Sequence, residues 1–296
     1  MTSPEIVRSV SRMQALSREA RREGRSIGLV PTMGALHAGH LSLVAAAKTS
    51  CDVVVASIFV NPLQFGPSED FSRYPRPFDE DLRKLREAGV DAVFAPSVEE
   101  MYPAGAATTV YVEGLSERLD GASRPGHFRG VATVVAKLFE AGQPDRAFFG
   151  QKDAAQVAVL RKMTRDLLMP VELVVCPIMR EPDGLAMSSR NIYLSPEQRK
   201  QALCLRRSLA RVEERFASGE RDAAKLIASG KAAIAAEPCM RLDYFAIVNW
   251  ETLEPLARVE GETLVAVAAW VGETRLIDNV VLGGLPTPIG SLQAPS

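Results

Sequence analysis

The run "DVVVASIFV" (Asp52–Val60) sets the tightest limit on how this chain folds. It is a continuous, largely β-branched stretch with no polar face. A strand built from it must be covered on both sides, as inside a parallel sheet layered between helices. The surrounding pattern agrees. "SIGLVP" (Ser26–Pro31), "VDAVFAP", "TTVYVEG" (Thr108–Gly114), "PDRAFFG" and "VELVVCPI" are further strand-like runs. Between them lie helical patterns: "AGHLSLVAAAKTS", the amphipathic "FDEDLRKLREAG" closed by Gly89, "GVATVVAKLFEAG" and "DAAQVAVLRKMTRDLL". Strands separated by helices imply right-handed βαβ units and a Rossmann-like, doubly wound parallel sheet.

The pattern changes after about Asp183. "SPEQRKQALCLRRSLARVEERFASG" reads as one long helix, with Ser195 as its cap and Pro196 at its first position. A second helix follows, then three strand-like runs, "LDYFAIVNW", "TLVAVAAWV" and "TRLIDNVVL". Helices followed by adjacent strands predict a smaller α+β domain with an antiparallel sheet. The expected division is residues 1–182, then 183–285, with 286–296 as a disordered tail.

Several function classes drop out. A formal net charge of −1 leaves no basic footprint for nucleic acid or a membrane surface. No apolar run reaches the roughly 18–20 residues of a membrane span. The N-terminal stretch is charged and helical in pattern and lacks the apolar core of a secretory signal, so the expected location is the cytoplasm. Cys51, Cys176, Cys204 and Cys239 are widely spaced with no C-x-x-C, which favours free buried thiols over a zinc site.

Chemistry concentrates in "PTMGALHAGHLSLV" (Pro31–Val44), which follows one strand and opens a helix. That is the carboxyl edge of a parallel sheet, where doubly wound folds bind ligands. Gly34 permits a sharp turn and Gly39 a close approach to the helix start, where N–H groups and the helix dipole favour phosphate. His37 and His40 share one face, with His40 taken as the nearer to the helix start. A metal pair lacks a third ligand in any zinc-protease spacing. Two incidental surface histidines remain the other alternative.

H-x-G-H after a strand resembles the nucleotide-binding signature of the nucleotidyltransferase superfamily that includes class I aminoacyl-tRNA synthetases. The longer "PTMGALHAGHLSLV" resembles the pantoate–β-alanine ligase (pantothenate synthetase) family, and four later blocks are similar to that family in order. "SIFVNPLQFGPSEDFSRYPR" carries Asn61 and Gln64, "RPGHFRGVATVVAKLF" carries His127, "FFGQKDAAQVAVLRKM" carries Gly150, Lys152, Asp153 and Gln156, and "REPDGLAMSSRNIYLS" carries Ser188, Ser189 and Arg190. From the residues alone, Asn61 and Gln64 could bind hydroxyls and a carboxylate or shape a polar turn, His127 reads as structural, Lys152 and Asp153 could meet phosphate and ribose or cap the helix, and Ser188–Arg190 could bind phosphate or form a hinge loop.

The resemblance implies more. Met33, Gly34, His37, His40, Gly150, Lys152, Asp153, Met179, Met187, Ser188, Ser189 and Arg190 would bind ATP. Gln64, Asn61, Gln156 and His127 would hold pantoate or β-alanine, and His40, His37 and Lys152 would be catalytic. Mg²⁺ would ride on the ATP phosphates, and the expected assembly is a homodimer. Ala154 and Ala155 stand where the family usually has an aromatic residue and a glutamine. The implied reaction is ATP-dependent joining of pantoate to β-alanine through a pantoyl-adenylate. The alternatives are another nucleotidyltransferase of the superfamily, acting on a different acceptor, or a nucleotide-binding module without catalysis.

Overall fold

A computed structural model describes residues 3–67, 69 and 71–284. The chain divides into two compact units, Met1–Val175 and Cys176–Ser296. The tail expected at 286–296 lies outside the described residues.

Unit 1 runs β1 (Glu5–Val7), α1 (Val10–Arg22), β2 (Ile27–Thr32), α2 (Ala38–Ser50), β3 (Val53–Ile58), α3 (Phe78–Glu87) and β4 (Ala92–Phe94). It continues through α4 (Val98–Met101), α5 (Asp120–Ser123), α6 (His127–Gly142), β5 (Arg146–Gly150), α7 (Ala154–Asp166) and β6 (Glu172–Cys176). The sheet order is β1-β4-β3-β2-β5-β6. The pairings that join β1 through β5 are parallel. From β2 the chain builds outward through β3 and β4 on one side, then crosses to β5 on the other. The strand order therefore reverses between β2 and β5, and the crevice at their carboxyl ends is where such a sheet takes ligands. The β-branched run does what its composition demands: Val53, Val54, Val55 and Ala56 are all buried.

Unit 2 contains α8 (Pro196–Ala202), α9 (Cys204–Ala217), α10 (Ala223–Ala235), β7 (Met240–Asn249), β8 (Thr263–Val271) and β9 (Thr274–Leu282). Its strands form an antiparallel sheet ordered β7-β8-β9. Leu205, Leu209 and Val212 of α9, with Leu226 and Ile234 of α10, share a core with Val265 and Val267 of β8.

Four local expectations are corrected. Thr108–Gly114 forms no strand. The Val110 N–H donates to the Thr133 hydroxyl of α6 at 2.9 Å, so this β-branched run is held by a side chain instead of a ladder. The helix expected from Pro196 onward is interrupted at Leu203. Gln201, Ala202, Cys204 and Leu205 are all buried, more than one helical face presents in a turn, and the break re-phases the buried stripe. The charged N-terminus is not wholly helical, because Glu5–Val7 forms an edge strand against β4. Cysteines 51, 176 and 204 are buried and free, but Cys239 is exposed in the turn before β7, where no core face exists.

Candidate active site

The histidine loop is built from the end of β2. Thr32 Oγ1 donates to the Ser57 carbonyl at 2.6 Å and accepts from the Gly34 N–H at 3.1 Å, which turns the chain sharply. Gly34 (φ +82°) and Ala35 (φ +51°) are both left-handed. A Cβ on Gly34 would lie 2.9 Å from Asp81 Oδ2, so the turn has room for glycine alone. Asp81, on α3, is fully buried, and its carboxylate accepts from the Ala35 N–H at 2.8 Å and the Leu36 N–H at 2.7 Å. Lys84, one turn along, donates to the Leu36 carbonyl at 2.7 Å. Two side chains of one helix thus clamp the loop. Nothing local in the sequence signals this, because Asp81 reads only as an acid in a helix's first turn.

His37 is the cap residue of α2, and His40 lies inside the first turn, which reverses the expected order of the two. The Gly39 N–H donates to His37 Nδ1 at 3.1 Å, and the His37 N–H donates to His40 Nδ1 at 3.3 Å. Their ring centroids are 4.1 Å apart. An imidazole nitrogen that accepts from a backbone N–H carries no proton, so each neutral ring keeps its proton on Nε2. Capping and phosphate binding are therefore not rival roles here. One nitrogen of each ring caps the helix and the other is a donor.

Burial pushes His40 down to about 3, helped by the adjoining His37 ring and by the Lys152 and Lys84 charges. Lys152 follows β5 in a short 3-10 turn, Gln151–Asp153, and β5 pairs with β2, so this turn and the histidine loop leave adjacent strands. Asp153 stands at the start of α7, but its side chain makes no capping hydrogen bond, and its carboxylate lies 3.9 Å from Lys152 Nζ. Gln156 is half-buried in the first turn of α7, while Ala154 and Ala155 are buried.

A second cluster forms after β3. Asn61, only 1% exposed, caps the 3-10 turn Pro62–Gln64 by accepting from the Leu63 N–H at 3.3 Å. Asn61 Oδ1 also accepts from the Tyr102 hydroxyl at 2.8 Å. Asn61 Nδ2 donates to the Gly130 carbonyl at 3.0 Å and to Gln64 Oε1 at 3.1 Å. Gln64 Nε2 donates to Met33 Sδ, 2.9 Å away in the histidine loop. His127 opens α6, and its Nδ1–H donates to the Gln64 carbonyl at 2.8 Å. Its Nε2 accepts from Arg124 at 2.9 Å, and Arg124 grips Glu69 with two bonds of 2.7 Å. Nδ1 of His127 thus holds the Gln64 carbonyl directly, and Arg124, bonded to Nε2, also donates to that carbonyl at 3.3 Å. Burial, with the Arg124 charge, pushes its pKa down to about 4.

The remaining candidates belong to unit 2. Arg180 and Ala186 bridge a small turn at Gly184 (φ +96°), and the Met187 N–H donates to the Met179 carbonyl at 3.0 Å. Ser188 caps the 3-10 turn Ser189–Tyr193 by accepting from the Arg190 N–H at 3.2 Å. Two partners invisible in the sequence stiffen this loop. Arg180 forks onto buried Asp278 at 2.7 and 2.9 Å, and Asn191 Nδ2 donates to Glu181 and to the Ala186 carbonyl.

The two lowered histidines predict a pH dependence of stability. Unfolded histidine titrates near 6.5, whereas His40 and His127 resist protonation down to about 3 and 4. Between those values the unfolded chain binds the extra protons, so stability is full above about pH 7 and is lost as pH falls. Each histidine contributes a slope of up to about 1.4 kcal/mol per pH unit. Thermal midpoints measured from pH 8 to 4 should stay level and then drop, and His127→Asn should flatten the drop. An unchanged profile in that variant would show that His127 is not buried neutral.

A reversed-order parallel sheet, with a histidine-capped helix, a lysine turn and an amide cluster at the carboxyl ends of its central strands, defines a ligand-binding doubly wound α/β protein. Comparison narrows the class. The family model for pantoate–β-alanine ligase matches residues 5–281, and the chain belongs to that enzyme family. A pantothenate synthetase of Koribacter versatilis is 60% identical over 277 residues, covering 94% of this chain and 95% of that one. The crystal structure of the Thermus thermophilus pantothenate synthetase, 51% identical, superposes with a TM-score of 0.88 over 93% of this chain and 98% of its own. A Francisella tularensis pantoate–β-alanine ligase, complexed with βγ-ATP and β-alanine, is 30% identical with a TM-score of 0.75, covering 96% and 100%. No helix among the described residues is long and apolar enough to cross a membrane.

Proposed function

We propose that this enzyme joins pantoate to β-alanine at the expense of ATP, through a pantoyl-adenylate, with release of AMP and pyrophosphate. The observation that carries the reading is the pair of histidines with Nδ1 engaged by backbone N–H groups, on a loop that leaves β2 next to β5, the strand that leads into the Lys152 turn. A carboxylate is a poor acylating agent because its leaving group is poor. Attack of the pantoate carboxylate on the α-phosphorus of ATP forms a P–O bond and expels pyrophosphate. The β-alanine amine then attacks the mixed anhydride, forms the amide and expels AMP.

In the first step charge grows on the phosphate oxygens. The Nε2–H groups of His37 and His40 and the Lys152 ammonium are preorganised donors for that charge. Met33, Gly34, Gly150, Met179 and Met187 line the nucleotide, Asp153 takes a ribose hydroxyl, and Ser188, Ser189 and Arg190 bind phosphate oxygens. Gln64 and Gln156 hold pantoate. Mg²⁺, when bound with the nucleotide, would offset phosphate charge; the histidine Nδ1 atoms accept backbone N–H groups and would not be its ligands. No side-chain nucleophile takes part.

Pyrophosphate–ATP isotope exchange tests the order of steps. Exchange should require pantoate and proceed without β-alanine. Exchange that depends strictly on β-alanine would rule out the adenylate. Product analysis separates this reading from a nucleotidyl transfer to another acceptor, which would leave a stable nucleotidyl product in place of AMP and an amide.

A further inference from the structure

The geometry points to Tyr102 as a positioning residue that, by holding the backbone-oriented Asn61 in place, keeps the donor end of the Gln64 amide aimed at the acid substrate. The inference rests on the reading of Gln64 as a pantoate-binding residue.

Two backbone groups decide the orientation of Asn61. Its Oδ1 faces a donor, the Leu63 N–H, and its Nδ2 faces an acceptor, the Gly130 carbonyl. A flipped amide would put donor against donor and acceptor against acceptor. With that orientation fixed, the Tyr102 hydroxyl must donate to Oδ1. Burial also keeps this phenol protonated, with its pKa pushed above the ordinary range. The second Nδ2 proton then goes to Gln64, whose oxygen must accept it. Both lone pairs and both protons of Asn61 are therefore spent. Asn61 has nothing left for a ligand, although its residue type suggested a direct contact. What remains is the Gln64 Nε2 group. It donates to the Met33 thioether, a weak acceptor that a carboxylate or hydroxyl oxygen outcompetes.

The chain Tyr102–Asn61–Gln64 thus converts an amide, which could present either end, into a donor aimed at an oxygen-rich acid. It discriminates against substrates with a donor at that point. Tyr102 lies on the turn after α4, far from the motif blocks in sequence, and is linked to Gln64 by hydrogen bonds through Asn61.

The test is a double-mutant cycle read by steady-state kinetics. Tyr102→Phe should raise the pantoate KM about five- to tenfold, the worth of one neutral hydrogen bond, with the ATP KM and kcat within about twofold. Gln64→Ala should raise the pantoate KM further. In that background Tyr102→Phe should add less than twofold, because its target is gone. A raised pantoate KM in Gln64→Ala but not in Tyr102→Phe overturns the relay and leaves the Gln64 assignment intact. Multiplicative effects in the double variant also overturn it. An unchanged pantoate KM in Gln64→Ala defeats the pocket reading itself, and the inference with it. Gln64→Glu checks the orientation without touching Tyr102. The carboxylate keeps an oxygen for Asn61 but replaces the offered donor, so the pantoate KM should exceed that of Gln64→Ala. Retained affinity in Gln64→Glu would show that the oxygen end faces the substrate.

Discussion

Replacing His40 by alanine is expected to lower kcat for pantothenate formation by about 10²–10³-fold, the usual cost of one preorganised donor to developing charge. The ATP KM should change far less, since the donor matters most where phosphate charge grows. His40 has two roles that need separating. Its Nδ1 accepts the His37 N–H, and its Nε2–H is the proposed donor to phosphate. Loss of the cap alone costs about 1 kcal/mol of stability and leaves a folded enzyme. His40→Asn retains an acceptor near the Nδ1 position, whereas His40→Gln places an amide N–H near Nε2. If donation to phosphate is the role, glutamine should recover part of the lost kcat and asparagine should not. Because burial holds His40 neutral down to about 3, the rate should show no inflection from this group between pH 6 and 8. Turnover near wild type in His40→Ala would remove the residue from the mechanism.

Legibility in the sequence followed physical range. β3 was readable because a strand covered on both faces has nowhere to put a polar residue, and its valines are buried accordingly. Thr108–Gly114 has the same residue types and is no strand, because pairing depends on a partner edge that composition does not report. The histidines, Lys152 and Gln64 were visible as residue types at strand-to-helix turns. Their supports were not. Asp81 and Tyr102 act across the fold on loops far from them in sequence, and each looks ordinary in its own segment. His127 and Asn61 were legible as candidate site residues, but the structure gives them their bonding: each has its polar atoms committed to holding Gln64 or its neighbours. The sequence shows which groups are present, and long-range hydrogen bonds decide which of their atoms are left to meet a substrate.

Two glycines on α6 should respond to the same substitution with opposite sign. Helix propensity alone favours alanine at an interior helix position by up to about 1 kcal/mol. At Gly142, the last residue of α6, a Cβ would sit 3.9 Å from the Leu29 methyls, ordinary contact, so Gly142→Ala should be neutral or stabilising. At Gly130 the same atom would lie 2.1 Å from the Leu63 carbonyl oxygen and 2.6 Å from the Gln64 nitrogen. Both are backbone atoms, so no rotamer change relieves the clash. The 3-10 turn Pro62–Gln64 must move away from α6 by roughly 1 Å or more to restore normal contact, and overpacking of this kind costs about 1–3 kcal/mol. The displacement falls on the bonds that orient the pocket. Asn61 Nδ2 would be pulled from the Gly130 carbonyl, and the Gln64 carbonyl from His127. Gly130→Ala should therefore lower the thermal midpoint by several degrees and raise the pantoate KM at least tenfold, while the ATP KM changes much less. Melting curves and substrate titrations on the two variants side by side provide the check. A Gly130→Ala enzyme as stable and as selective as Gly142→Ala would mean that the turn is not held against α6 as tightly as these distances require, and that something other than this contact fixes Gln64.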